Sequence, residues 1–146
     1  MNSIKKNATI LEDVKINVKM KLSALWVAVM FCIVYANWFT LFVPGFLEQV
    51  TAGMIGTLGP TTQEKLLGVS IYLSIPSVMV FLSLTLKPKA NRWANIILGV
   101  IFTVVVFLHT LIPGLWAYYI YFGVVEVVLT ALIVWYAWNW PKQEVK

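Results

Sequence analysis

Residues 93–140, WANIILGVIFTVVVFLHTLIPGLWAYYIYFGVVEVVLTALIVWYAWNW, decide the fold. No charged side chain occurs from Trp93 to Val125. A hydrocarbon core about 30 Å thick is crossed by about 20 helical residues, so this run is too long for one span. Pro113-Gly114 lies inside it as a turn signal. Two spans follow, Trp93 to Leu111 and Leu115 to Trp140. Toward the N-terminus, Lys87-Pro88-Lys89 stops a span running approximately from Glu64 to Leu86. Thr61-Thr62-Gln63-Glu64 at its start has the Thr-x-x-Glu spacing of a capping box. The first span is drawn from the uncharged stretch Leu22 to Leu47 and covers Leu22 to Val43, with Pro44-Gly45 ending it. The expected fold is an all-α membrane protein, an antiparallel four-transmembrane-helix bundle over residues 22–140. A tail and interfacial segment, 1–21, precedes it and a short tail, 141–146, follows.

Composition agrees. Apolar residues make up 60% of the chain and charged residues 12%, against roughly a quarter charged in a soluble domain, which excludes a soluble enzyme. The formal charge is +5, but ten of the eleven Lys and Arg fall in the N-terminal tail, the 87–92 connection and the C-terminal tail. That distribution writes membrane topology rather than nucleic-acid binding. By the positive-inside tendency, both termini and the Lys87 to Arg92 turn are expected to be cytoplasmic. Aromatic residues give the same orientation, with Trp93, Trp135, Trp138 and Trp140 at the inner interface and Trp38, Phe42, Trp116, Tyr118 and Tyr119 at the outer one. The first apolar run is too long for a signal-peptide core, so it is expected to be retained. Asn7-Ala8-Thr9, a glycosylation sequon, falls on the cytoplasmic side and is read as chance.

Two segments lie outside the spans. Leu11 to Lys21 shows both helical spacing (Leu11, Val14, Val18) and strand-like alternation, and a lone strand has no partner. An interfacial helix with its lysines among anionic headgroups is the expectation. Phe46 to Met54 places Phe46, Leu47, Val50 and Met54 on one helical face, which predicts a short surface helix, a lid or an anchor. The glycines 53, 56 and 59 with Pro60 read as a flexible connection.

Cys32 and His109 are the sole residues of their types. An intramolecular disulfide, a Cys-x-x-Cys pair, a multi-thiolate metal site and a paired-histidine haem site are therefore excluded. No cofactor and no metal is expected. Cys32 itself reads as a small buried apolar residue.

Glu126 lies near the middle of the fourth span, where an acid normally faces the bundle interior. Tyr119, Gly123, Glu126, Thr130, Ile133 and Ala137 share one stripe at helical spacing, which predicts the packing face. No basic residue lies at that depth, so Glu126 is expected to be neutral and hydrogen-bonded when empty. Candidate partners at similar depth are Tyr35, Ser74, Ser77 and Thr103. Pro76 cannot donate an amide, and a kink there beside Ser70, Ser74 and Ser77 would open a polar cavity; back-bonded serines on a merely bent helix are the alternative. Asn95, Gly99, Thr103, Val106 and Thr110 form a packing stripe of span three. His109, near its outer end, is either a proton relay toward Glu126 or a hydrogen-bonded surface residue. Tyr35 and Asn37 point in nearly opposite directions, so at most one of them lines a central site.

Three stretches carry a resemblance: Leu11-Glu12-Asp13-Val14-Lys15-Ile16-Asn17-Val18-Lys19 leading into Ser23-Ala24-Leu25-Trp26, the stretch Leu84 to Asn95, and Ala117-Tyr118-Tyr119 through Glu126. With these the chain resembles, over nearly its whole length, an uncharacterised family of small bacterial four-span membrane proteins known as a domain of unknown function. The resemblance implies the same architecture and a bacterial inner-membrane location, and no activity. From the residues, the expected function is binding, or helping to transport, a small ligand, cation or proton. The pocket would be built from Glu126, Tyr35, Ser74, Ser77, Thr103, His109 and Tyr119. Partners would be the lipid bilayer, a possible small ligand, and further copies of the chain or another membrane protein, with no nucleic acid. The alternatives are a non-catalytic accessory subunit and, with only an acid, hydroxyls and one histidine available, a membrane enzyme.

Overall fold

The structure is a computed structural model and describes residues 14–55 and 59–141. It is all-helical, with α1 Val18–Thr40, α2 Phe46–Thr51, α3 Gln63–Thr85, α4 Pro88–Thr110 and α5 Ala117–Trp138. α1, α3, α4 and α5 are each long and apolar enough to cross a bilayer. At 1.5 Å per residue, 23 residues extend about 34 Å, enough for a core about 30 Å thick. The chain is that of a multi-pass membrane protein. Glycines with positive φ sit where the sequence signals turns, Gly45 (φ 81°) after α1 and Gly114 (φ 84°) between α4 and α5.

Helix boundaries differ from the expected spans for identifiable reasons. Asn17 caps α1, its side chain accepting from the Lys19 amide at 2.9 Å, so Val18 to Lys21 form the first turn of the span. A separate interfacial helix over 11–21 is not formed: Val14 to Asn17 are non-helical, and Leu11 to Asp13 lie outside the described residues, as does Gly56. Thr62, not Thr61, caps α3, accepting from the Lys65 amide at 3.3 Å, which places Lys65 rather than Glu64 at the third helical position. α4 opens at Pro88, whose missing amide costs nothing at a first helical position. The basic residues Lys89 and Arg92 are thus part of a helix rather than of a turn.

α5 packs between α1 and α4, and α1 between α5 and α3. α3 and α4, joined by the shortest connection, touch least of these neighbouring pairs. The starts of α1 and α4 meet the ends of α3 and α5, so both terminal helices open or close at one end of the bundle, here the terminal end; the opposite one is the loop end. Lys19 Nζ donates to the carbonyls of Leu86 (2.7 Å) and Leu84 (3.2 Å) at the end of α3. Arg92 donates to those of Ala137 and Trp138, each at 3.2 Å, at the end of α5. Both cations sit where unpaired carbonyls and the helix dipole favour them. Lys21 lies over the Tyr136 ring at 5.1 Å and Arg92 over that of Trp138 at 5.9 Å.

The apolar core lies mainly in the terminal half of the bundle. Leu22, Trp26, Val29, Met79, Ile96, Phe102, Ile133 and Ala137 form the core. Lipid is as apolar as these side chains, so helix association in a membrane relies on close packing and hydrogen bonds. The structure supplies both. A Cβ on Gly99 would stand 2.8 Å from Val134 Cγ2, and one on Gly123 would overlap Thr110 Cγ2, so both glycines let α4 and α5 approach. A fully buried polar network links three helices: Trp26 Nε1 donates to Asn95 Oδ1 (2.7 Å), Ser83 Oγ to the same oxygen (3.3 Å), Asn95 Nδ2 to Asn91 Oδ1 (2.7 Å) and Asn91 Nδ2 to the Ser83 carbonyl (2.6 Å). Trp26, Ser83, Asn91 and Asn95 are all 0% exposed.

Replacing Asn95 by Leu removes the shared acceptor and leaves the Trp26 N–H and the Ser83 hydroxyl without a partner in an apolar interior. A loss of about 1–3 kcal/mol is expected, measured as an earlier unfolding midpoint on titration with a denaturing detergent. An unchanged midpoint would show that the network contributes no stability.

Candidate functional site

The loop half of the bundle holds a cavity of about 520 Å³. It exists because packing stops: every buried residue of α3 lies at or after Pro76, and every buried residue of α4 at or before Phe102. Proline removes an amide from the α3 ladder, and the half of the helix that precedes it contributes no buried residue. Tyr72, Pro76, Met79 and Ser83 form the one inward stripe of α3.

Glu126 stands at the deep end of the cavity. The buried residues of α5 are Gly123, Glu126, Thr130, Ile133 and Ala137, the stripe that helical spacing predicts. Glu126 is 6% exposed. Among the described residues none is hydrogen-bonded to its carboxyl, although its backbone carbonyl accepts from Thr130 Oγ1 at 2.8 Å. Among the described residues no fully enclosed side-chain polar atom lacks a partner, so the unbonded carboxyl oxygens are not sealed off and face the cavity that Glu126 lines. The sequence-based expectation of a hydrogen-bonded acid is therefore not met within the chain. The groups at the right depth point elsewhere or are engaged.

Tyr35 is 50% exposed and stacks on Phe31. Ser74 is exposed and bonds the Ile71 carbonyl of its own helix at 2.8 Å, and Ser77, also exposed, bonds Met30 Sδ at 3.1 Å. Thr103 lies in the α4–α5 seam below the cavity, with its Oγ1 2.7 Å from the Gly99 carbonyl and 2.8 Å from Thr130 Oγ1. None of these four lines the cavity, whereas Glu126, His109 and Tyr119 do. The His109 and Tyr119 rings lie 5.4 Å apart. Asn37 lines it too, its amide donating to the Ile33 carbonyl at 2.8 Å.

Tyr72 and Tyr118 are cavity residues that depth and polarity along the sequence do not reveal. Tyr72 stacks on Phe102 (4.7 Å, 7° between planes), and Phe102 packs edge-on against Trp26 (5.6 Å). This three-ring ladder separates the cavity from the polar network below. The signal for Tyr72 is its spacing of four from Pro76, whereas Ser74, two positions away, falls on the opposite face. Tyr118 donates to Thr40 Oγ1 at 3.0 Å, and Thr40 to the Ala36 carbonyl at 2.9 Å. That chain latches α5 to α1, so Tyr118 and Tyr119 line a site instead of an interface belt. Phe46, Ile55 and the Gly114 to Trp116 turn line the loop end. Chemically the arrangement offers one unpartnered carboxyl, phenol rings, an imidazole at the rim and mostly apolar walls. Among the described residues there is no cluster of three His, Cys, Asp or Glu able to hold a metal ion.

With Cys32 replaced by Ser, a cysteine introduced as Glu126→Cys is expected to react with a small methanethiosulfonate at least ten times faster than one introduced as Thr130→Cys, one turn deeper and 0% exposed. Equal rates would contradict a cavity that ends at Glu126.

No curated protein matches this chain. No solved structure matches it. A family model described as a family of unknown function, DUF6326, matches residues 10–146. The four apolar helices, the buried glutamate and the cavity above it thus describe a member of the family DUF6326, to which this chain belongs.

Proposed function

We propose that the protein binds, or helps to move across the membrane, a small ligand whose cationic, hydrogen-bond-donating or protonic group is taken by Glu126. The observation that carries the reading is the Glu126 carboxyl, nearly buried in the middle of a span, facing a cavity and hydrogen-bonded to nothing in the described chain. An acid in hydrocarbon is costly unless it pairs or protonates, and a structural acid would be expected to join two helices. Here Thr103–Thr130 and the Asn95 network do that, which leaves Glu126 available. His109 and Tyr119 form the rim of the site, and Asn37, Thr40, Tyr72, Thr110 and Tyr118 add to its polar lining.

The proposed setting is an inner membrane with both termini cytoplasmic, which places the cavity on the outer side. Four helices enclose little volume, so a complete transport path would be shared between copies of the chain or with another membrane protein.

Native mass spectrometry of the detergent-purified protein, wild type beside Glu126→Gln, tests the reading. A small mass retained by the wild type and lost from an otherwise identical Glu126→Gln assembly is expected. Both proteins empty, with unchanged assembly, would favour a non-catalytic accessory subunit instead.

A further inference from the structure

The cavity is closed on most sides. At its deep end lie the Tyr72, Phe102 and Trp26 rings, and at the loop end Phe46, Ile55 and Trp116. The α1–α5 seam is latched by Tyr118 and Thr40 and filled by Phe39, whose ring stacks on that of Phe122. The α4–α5 seam is held together at Gly123 by Thr110 and below by Thr103 and Thr130. α1 packs along α3. Of the two open sides, both bordered by α3, the gap between α3 and α4 is the one where the adjacent helices have least contact, beyond Pro76 on one helix and Phe102 on the other. Its edges are apolar: Val69 and Val105 line the cavity, and Val105 is 43% exposed. In a spanning bundle that gap faces acyl chains, not water.

The interior has the complementary chemistry. Among the described residues no Lys or Arg lines it, and His109 at the rim is the one lining side chain that could carry a positive charge; a cationic ligand would supply the charge that balances an ionised Glu126 directly. Tyr72 and Tyr119 line the cavity beside the acid. Carboxylate and aromatic faces together recognise an organic ammonium.

We infer that the cavity admits, sideways from the bilayer between α3 and α4, an amphiphile with an amine or quaternary ammonium head and an apolar chain, the head at Glu126 and the chain in the α3–α4 gap. This rests on the reading of Glu126 as a binding group and adds the ligand class and the route.

The full chain in phosphatidylcholine nanodiscs, with binding followed by native mass spectrometry, tests it using three probes. Dodecyltrimethylammonium has both parts, tetramethylammonium the head alone, and dodecanol the chain with a neutral head. Saturable binding of dodecyltrimethylammonium is expected, at least tenfold tighter than that of either other probe and weakened at least tenfold by Glu126→Gln. Val105→Trp, at the edge of the gap, should slow its association several-fold, whereas Val124→Trp, on the exposed face of α5, should leave it unchanged. Tetramethylammonium binding as tightly, with the same Glu126→Gln sensitivity, would overturn the lateral route and leave Glu126 a binding group. Dodecanol binding equally would overturn the cationic head. Equal binding of dodecyltrimethylammonium to wild type and Glu126→Gln, or none to either, would overturn the inference itself, while the co-purification experiment judges the Glu126 reading separately.

Discussion

The hydrogen bond from Trp26 to Asn95 is the contact on which the remaining structure depends. In water a four-helix bundle is driven together by apolar burial, but between lipid and leucine there is little such difference, and the bundle relies on polar contacts and close fit. Asn95 accepts from α1 and α3 while its own amide is held by Asn91, so one side chain fixes three helices at the terminal end. Trp26 in turn fixes Phe102, and Phe102 supports Tyr72. The polar network thus sets the floor on which the cavity stands.

The molecule is divided accordingly. Below the ring ladder lie the core, the buried amides and the helix ends tied by Lys19 and Arg92; above it α3 and α4 diverge, while α5 keeps its contacts with α1 and α4. A chain of this length cannot be both closely packed throughout and hollow. The acid occupies the border, near enough to the packed half to be positioned by the backbone of α5 and near enough to the open half to meet a visitor. Such a division would suit the proposed binding role, since binding regions come from the less stable parts of a fold.

Much of the fold could be read from the sequence because hydropathy and Pro-Gly punctuation act locally. The inward stripe of α5 was equally readable, since Gly123, Glu126 and Thr130 repeat at helical spacing. Boundaries are harder to read where charge coincides with a helix start: Arg92 lies within a helix and its long stem reaches the end of α5, and Asn91, set among basic residues, is buried. Selecting site residues by depth alone favoured Tyr35, Ser74 and Ser77, which share the level of Glu126 but not its direction. Direction follows from helical phase relative to neighbours, and for α3 the small clue was Pro76 with Met79 and Ser83. The gap between α3 and α4 has no sequence signature at all, because it reflects how two helices fail to meet.

The capping cations carry an implication for how this chain could change over time. Lys19 and Arg92 belong to the basic segments from which the positive-inside tendency would read an orientation, and each also ties one helix to the end of another. Topology signals are usually interchangeable, since any lysine in the right loop serves. At these two positions a charge that could serve as a topology signal also holds two helix ends, so moving it to a neighbouring lysine would keep the charge count and lose the contact.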